Sequence, residues 1–503
     1  MGKVIRRVLA IIPAVAVQVM LLVALVEWLS PYAAMINFVL SILSLILVLY
    51  IIIKREEPAY KTLWLLVILP FPLAGALLYL FFGDKRTAKP LAKRLGAAEP
   101  AEMPDDSEII CRIRAEKPRL AQTFAYVRSK TGCPVVPNES AKYYAFGEDM
   151  LPDMLEDLKK AEKYIYVEYF IIEHGKFLDS ILDILREKSQ AGVDVRVMYD
   201  DLGSISTFST LDRLRLNDSG IRCISFNPML AIGGTLNYRD HKKILAIDGK
   251  VAYTGGINLA DEYINEKKRF GRWKDIGFRI TGASAVAYAD IFLLFWNAFA
   301  KWTPGTENME LPEEVPTPSD EIDGYALSYY DSPIRKDAVS NNLYIDMLSL
   351  AEDYAWFYTP YLTPGDELQE ALIRAAERGV DVRIIMPGIP DKKIIFRLSH
   401  SYYQALLEAG VKIYEYKPGF VHAKACLVDD IVGTVGTVNL DYRSLFLHFE
   451  NNTIFYKASL LTDLKKDFTH TLSQCEAQKP YDRRRYLRRW MVDGLLRIFA
   501  PLC

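Results

Sequence analysis

His241 and Lys243, and again His422 and Lys424, pair an imidazole with an ammonium two positions later. In a strand, residues i and i+2 point to one face, so each pair projects into one pocket. There an imidazole can move a proton or attack an electrophile, while the ammonium binds an oxyanion. Both units extend to H-x-K-x4-D, ending at Asp248 and Asp429. Gly255-Gly256-Ile257-Asn258 follows the first unit and Gly436-Thr437-Val438-Asn439 the second, with 17 positions from histidine to asparagine in both. A lone H-x-K means little. Two copies with matched Asn258 and Asn439, in a chain of six histidines, mark a catalytic constellation. No other histidine or acid stands at ligand spacing beside either motif, so neither a metal nor another cofactor is expected. His174, His400, His448 and His470 lack such a context and read as surface or core residues.

The elements around the motifs repeat as well. Tyr164 to Ile172 is rich in β-branched and aromatic residues and predicts a strand. Phe177 to Gln190 predicts an amphipathic helix, and Gly192 precedes a strand through Met198. In the second half Ala355–Tyr358 reads as a strand and Glu367–Glu377 as a helix. The segment GVDVR recurs 187 residues after its first copy, at the matching place. Two α/β units, residues 131–302 and 325–475, are therefore expected, each with helices over a largely buried sheet. A proline- and glutamate-rich linker, 303–324, separates them, and a polar linker, 87–130, precedes the first.

Residues 1–86 have a different character. Ala33–Ile53 and Thr62–Phe82 are uncharged and long enough to cross a hydrocarbon core. Val8–Val26 is also apolar but contains Pro13 and Gln18, and it could span, re-enter or lie in the interface. Counted as two spans, the anchor puts Lys85, Arg86, Lys89, Lys93 and Arg94 on the side of the N-terminus, which predicts a cytoplasmic catalytic part in a multi-pass protein of the cell membrane. At the other end, residues 476–503 interleave Arg483, Arg484, Arg485, Arg488, Arg489 and Arg497 with Trp490, Met491, Leu495 and Phe499. Such a basic amphipathic helix suits an anionic lipid surface. The net charge of −2 argues against a nucleic-acid partner. Six cysteines without a CxxC pair fit reduced, mostly buried thiols.

The paired motifs resemble the HKD phospholipase D superfamily. Asn237-Tyr238-Arg239-Asp240, Asp261-Glu262-Tyr263 and Asn439-Leu440-Asp441-Tyr442-Arg443-Ser444 look more particularly like its cardiolipin synthase branch, as do Pro70, Gly75, Tyr79 and Phe82-Gly83. Thr437 departs from the serine common there, but keeps a hydroxyl. The resemblance implies two pseudo-symmetric α-β-α sandwich halves sharing one active site, behind N-terminal transmembrane helices. It also implies a phosphohistidine: His241 attacks phosphorus and His422 serves as acid and base, an assignment made by family analogy. Lys243 and Lys424 would bind nonbridging oxygens, with Asn258 and Asn439 donating further hydrogen bonds. Asp248 and Asp429 would complete the motif, either as catalytic residues or mainly by fixing the loop and the lysine. A nucleophilic imidazole needs an acceptor on its other nitrogen, and Asp275 and Glu450, downstream at comparable intervals, are the candidates. The implied reaction joins two phosphatidylglycerols into cardiolipin and glycerol. The competing readings are a membrane-bound phospholipase D-type hydrolase or nuclease, and an inactive lipid-binding scaffold.

Overall fold

The computed structural model describes residues 16–20, 30–54, 56–83, 89–97, 105–228, 237–300, 322–335 and 337–502. Most of the apolar segment 8–26 and of the linker 303–324 lies outside them. Two compact units emerge, one built on residues 1–89 with 495–502, the other on residues 90–494.

In the first unit Ser30–Ile53 forms one helix of 24 residues without a charged side chain. Its side chains are described without a break only from Phe38 onward. The second expected span is not one helix. Pro58–Ile68 is helical, the chain turns at Leu69–Phe71, and Pro72–Leu78 starts a new helix that runs into a π-turn at Tyr79–Gly83. Pro70 and Pro72 explain the break: a proline lacks the N–H a helix interior needs and pushes the preceding residue into extended geometry. Phe71, before Pro72, has departed from helical geometry, with φ −129° and ψ 74°. The two short helices then cross at Gly75, where a Cβ would lie 2.6 Å from the Ile68 Cα. Among the described residues no helix is long and apolar enough to cross a membrane. The break also removes the two-span count on which the expected orientation rested. Within 8–26 the described residues 16–20 are helical, and the buried Gln18 accepts a hydrogen bond from Ala74 N at 3.0 Å.

The second unit contains the expected duplication. In one sheet the strand order is Ala141–Tyr144, Gly277–Thr281, Val251–Gly255, Lys243–Ile247, Tyr164–Tyr169, Asp194–Asp200, Arg222–Phe226. The other follows the same order: Tyr325–Asp331, His448–Tyr456, Val432–Gly436, Ala425–Val428, Tyr354–Tyr358, Asp381–Pro387, Lys412–Tyr416. In each sheet the motif strand runs antiparallel to a central strand whose neighbour is parallel. The helix Ala283–Ala300 carries aromatics to both sheets. Its Tyr166–Phe292 stack touches the first, and Phe295 packs on Phe449 of the second.

The segment expected as a linker, 87–130, is largely helical: Lys89–Ala97, Ser107–Glu116 and Pro118–Thr131. Ile113, Leu120, Phe124 and Val127 are buried, and Phe124 packs on Tyr456 of the second sheet. Val136–Pro137 extends that same sheet by pairing with Tyr325–Asp331. The chain thus lays a helical layer on the second half before it begins the first, because these helices carry an apolar stripe that needs a partner. Cys133, Cys223 and Cys426 are buried free thiols.

Candidate active site

Two short parallel pairings between the halves build the site. Arg239–Asp240 pairs with His448–Phe449, so the next residues, His241 and Glu450, face each other. Gly419–Val421 pairs with Arg272–Lys274, so the next residues, His422 and Asp275, do the same. The His241 amide donates to Phe449 O at 2.8 Å and the His422 amide to Lys274 O at 2.7 Å. Each imidazole therefore meets a carboxylate of the opposite half. His241 Nδ1 lies 2.8 Å from Glu450 Oε2, and His422 Nδ1 lies 2.6 Å from Asp275 Oδ2. A carboxylate on Nδ1 fixes the tautomer with its lone pair on Nε2, the nitrogen left to react. The residue intervals left the partners unassigned; the structure crosses them.

The two carboxylates are seated differently. Asp275 takes the Ile276 amide at 2.8 Å, and Gly256 leaves it room, since a Cβ there would lie 2.1 Å from Asp275 Oδ1. At the corresponding place stands Thr437, whose hydroxyl donates to Glu450 Oε2, while the Ser444 hydroxyl donates to Oε1. Burial pushes the Glu450 carboxyl above its ordinary range, with Lys243 and the two hydroxyls pulling the other way. Three donors converge on its two oxygens, the arrangement suited to a carboxylate acceptor.

Burial also favours the neutral form of both imidazoles. His241 falls well below its ordinary value through desolvation, with Lys243 adding to the effect. His422 falls to about 4 through desolvation and Lys424, against the pull of Asp275. Lys424 also disfavours charge on His241 and Lys243 disfavours it on His422, so the two rings share one electrostatic neighbourhood.

The motif lysines differ from the other buried lysines nearby. Lys242 is paired with Asp240 at 2.6 Å and Glu168 at 2.9 Å, and Lys274 with Asp467 at 2.8 Å. Lys243 and Lys424 are buried too, yet among the described residues neither has a carboxylate within ion-pair distance. Lys243 donates to His241 O at 2.6 Å, and Lys424 lies 3.0 Å from His422 Nε2. Desolvation lowers Lys243 to about 7 and Lys424 to about 8. A buried cation without a counter-ion is costly, and an anion set between the two would restore their charge. Binding of a phosphonate between them is therefore expected to be accompanied by uptake of roughly one proton near pH 8. The affinity for the phosphonate should fall as pH rises from about 7 to about 9. Calorimetry in buffers of different ionisation enthalpy reads the uptake; an unchanged proton count would separate the lysines from the phosphate.

Other expected residues have different occupations. The Asn258 amide donates to Tyr263 OH at 2.7 Å, and its oxygen accepts from the Ile171 amide. Asn439 donates to Asp441 Oδ2 at 2.7 Å. Both amides thus brace the loops beside the histidines. Asp248 and Asp429, expected among the catalytic residues, stand at the far end of the motif strands, about 20 Å from their histidines at the rise of a strand. Each is a left-handed turn residue that collects three backbone amides: Glu162, Lys163 and Tyr164 for Asp248, Glu352, Asp353 and Tyr354 for Asp429. They clamp the start of the central strand. Asp248→Ala is expected to lower stability by about 2 kcal/mol, the loss of charge-assisted hydrogen bonds, with turnover retained. Denaturant melts beside an activity assay check this.

His448 escaped the sequence reading. It is two residues before Glu450, its ring centroid lies 5.8 Å from that of His241, and Phe170 touches both rings. Arg443 Nε donates to its Nε2 at 3.2 Å. At the corresponding place two residues before Asp275 stands Trp273, 5.7 Å from the His422 ring. His241, His448 and Glu450 could together offer three ligand atoms within 4.8 Å of one another. Those donors already receive hydrogen bonds from Arg443, Thr437 and Ser444, and the nearby Lys243 and Arg443 disfavour a cation. The set does not suit a metal ion.

Comparisons with known proteins agree with this geometry. The family model described as cardiolipin synthase, PLD-like domain, matches residues 154–269 and 344–472, and one described as phospholipase D-nuclease N-terminal matches 40–83. The cardiolipin synthase of Alkalihalophilus pseudofirmus is 32% identical over 477 residues, covering 92% of this chain and 93% of that protein. That of a Geobacillus species (strain WCH70) is 33% identical over 471 residues, covering 91% and 92%.

The chain belongs to the cardiolipin synthase family.

It is accordingly a phosphatidyl-transferring enzyme of the phospholipase D type. A Streptococcus mutans protein without an assigned function is 44% identical over 433 residues, covering 85% of this chain and 93% of its own. The phosphatidylserine synthase of Haemophilus influenzae shares the fold, with TM-score 0.56 at 14% identity, covering 75% of this chain and 99% of that one.

Proposed function

We propose that this family member transfers a phosphatidyl group from one phosphatidylglycerol to a hydroxyl of a second, giving cardiolipin and glycerol. The observation that carries the reading is the pair of crossed imidazole–carboxylate contacts, His241 with Glu450 and His422 with Asp275. His241 Nε2 attacks phosphorus and forms a P–N bond as the bond to glycerol breaks. His422, which enters this step as the imidazolium paired with Asp275 after taking up a proton along with the anionic substrate, gives that alkoxide its proton from Nε2. The glycerol hydroxyl of the second phosphatidylglycerol then surrenders its proton to His422 and attacks phosphorus, and the P–N bond breaks to release His241. Lys243 and Lys424 neutralise the nonbridging oxygens throughout. No step needs a metal ion, and EDTA is expected to leave turnover intact.

Anchoring in a membrane belongs to the same reading. The N-terminal unit exposes Phe38, Ile42, Leu45, Ile46, Leu49 and Ile53, a surface that lipid would cover. The C-terminal segment Arg483–Ile498 is helical and exposes Trp490, Met491 and Leu495. Its arginines suit anionic headgroups. Purified protein supplied with phosphatidylglycerol alone tests the function: cardiolipin with one glycerol per turnover is expected. Phosphatidic acid without cardiolipin would make the protein a hydrolase, and no product at all a scaffold.

A further inference from the structure

Between residues 105 and 482 the large hydrophobic side chains described as exposed are Ile205, Leu211, Leu214, Ile322, Ile389 and Ile394. Single exposed aliphatics are ordinary on a protein surface, but concentration at one place is not. Five of these six lie on two strand-to-helix connections, or at the start of the helices they lead into, and these connections occupy the same place in the two halves. In the first half, Asp194–Asp200 leads to the helix Thr210–Asp218; in the second, Asp381–Pro387 leads to Lys393–Glu408. Leu211 and Ile394 are each the second residue of their helix, 64% and 69% exposed.

Both connections leave the sheet edge that carries the histidines, because Tyr169 and Tyr358, at the C-terminal ends of the central strands, pair with Lys243 and Ala425. The first packs against Phe170, through Ser204 Oγ on Phe170 O at 3.2 Å, and the Phe170 ring lies 4.9 Å from that of His241. The second holds Asp391, which accepts from Tyr361 OH at 2.6 Å. Tyr361 touches Phe420, and Phe420 lies 6.0 Å from the His422 ring. Exposed Arg215, Lys392 and Lys393 stand beside the aliphatics. Asp212 and Asp391 accept from Ser209 and Tyr361 and also stand 3.5 Å from Arg215 and 3.8 Å from Lys392, loose surface pairs that headgroup phosphates can replace. Lys393 adds a cation with no ion pair among the described residues.

We infer that these two connections form a symmetric rim that seats the active-site edge on an anionic bilayer. Leu211, Leu214, Ile389 and Ile394 enter the acyl boundary, and the basic side chains meet the headgroup phosphates. The inference rests on the lipid substrate proposed above and names the surface through which that lipid arrives.

The test uses the full chain with Leu211→Asp and Ile394→Asp combined and two forms of one substrate: phosphatidylglycerol in liposomes, and dihexanoyl phosphatidylglycerol as free monomers. Turnover on liposomes is expected to fall tenfold or more while turnover on monomers stays unchanged. Unchanged turnover on both overturns the rim, and so does an equal loss on both. A second readout needs no catalysis. Ile394→Trp in nanodiscs of brominated phosphatidylglycerol should add tryptophan emission that is quenched relative to the unbrominated lipid; unquenched added emission overturns the rim. A parent that makes no cardiolipin from either substrate defeats the proposed function, and the quenching still decides the rim.

Discussion

Replacing either His241 or His422 by alanine is expected to lower cardiolipin formation by about 10⁵-fold, the scale at which members of one catalytic unit act together. Both rings are buried against a carboxylate of the opposite half, so removing one leaves the other with a reaction it cannot complete. The two losses differ in kind, and a substrate with a good leaving group separates them. p-Nitrophenolate departs without a proton. With a phosphatidyl p-nitrophenyl ester, His422→Ala is expected to release one equivalent in a burst and retain the phosphatidyl group on His241. His241→Ala should release none. The reverse pattern exchanges the roles, and bursts from both variants would remove the covalent step. Circular dichroism matching the parent confirms that each variant is folded.

Much of this site was legible in the sequence because its signals are local or repeated. The H-x-K pairs declare their shared face by the two-residue period of a strand. The recurrence of GVDVR and of the histidine-to-asparagine spacing declares the duplication. What was not legible is contact across the halves. His241 and Glu450 are 209 residues apart, and His422 and Asp275 are 147 apart. Nothing near either end signals the short parallel pairings that join them. His448 was hidden for a related reason: outside any motif it was one histidine among six, and only its two-residue step from Glu450 along one strand marks it. Asp248 and Asp429 show how a repeated pattern can leave two readings open, catalysis or the fixing of a loop. They belong to the repeated pattern, but the repeat reflects a shared turn that captures three amides. In the N-terminal unit Pro70 and Pro72 were in view, yet the hydropathy run over 62–82 outweighed them. The structure reverses that weighting, because a missing N–H breaks a helix however apolar its neighbours are.

The crossed pairing makes the carboxylates the second large test. Glu450→Gln and Asp275→Asn keep size and shape but replace one acceptor oxygen by a donor. An amide cannot accept from His241 Nδ1 and from the Thr437 and Ser444 hydroxyls together, so at least one donor loses its partner. The imidazole is then free to rotate or to take the tautomer that protonates Nε2. The positive charge that develops on it during transfer also loses its counter-charge. A comparable change in a Ser-His-Asp triad costs about 10⁴ in kcat, and a loss of roughly 10³ to 10⁴ is expected here with KM little changed. The leaving-group substrate again tells the halves apart, through the imidazole each carboxylate holds. Glu450→Gln should depress the p-nitrophenolate burst, since it disables the attacking His241. Asp275→Asn should leave the burst largely in place while slowing transfer to the second lipid, since it disables His422. Pairing within each half would predict the opposite, with Asp275→Asn suppressing the burst. The assay therefore reads which half holds which ring by chemistry alone, independently of any distance in the structure.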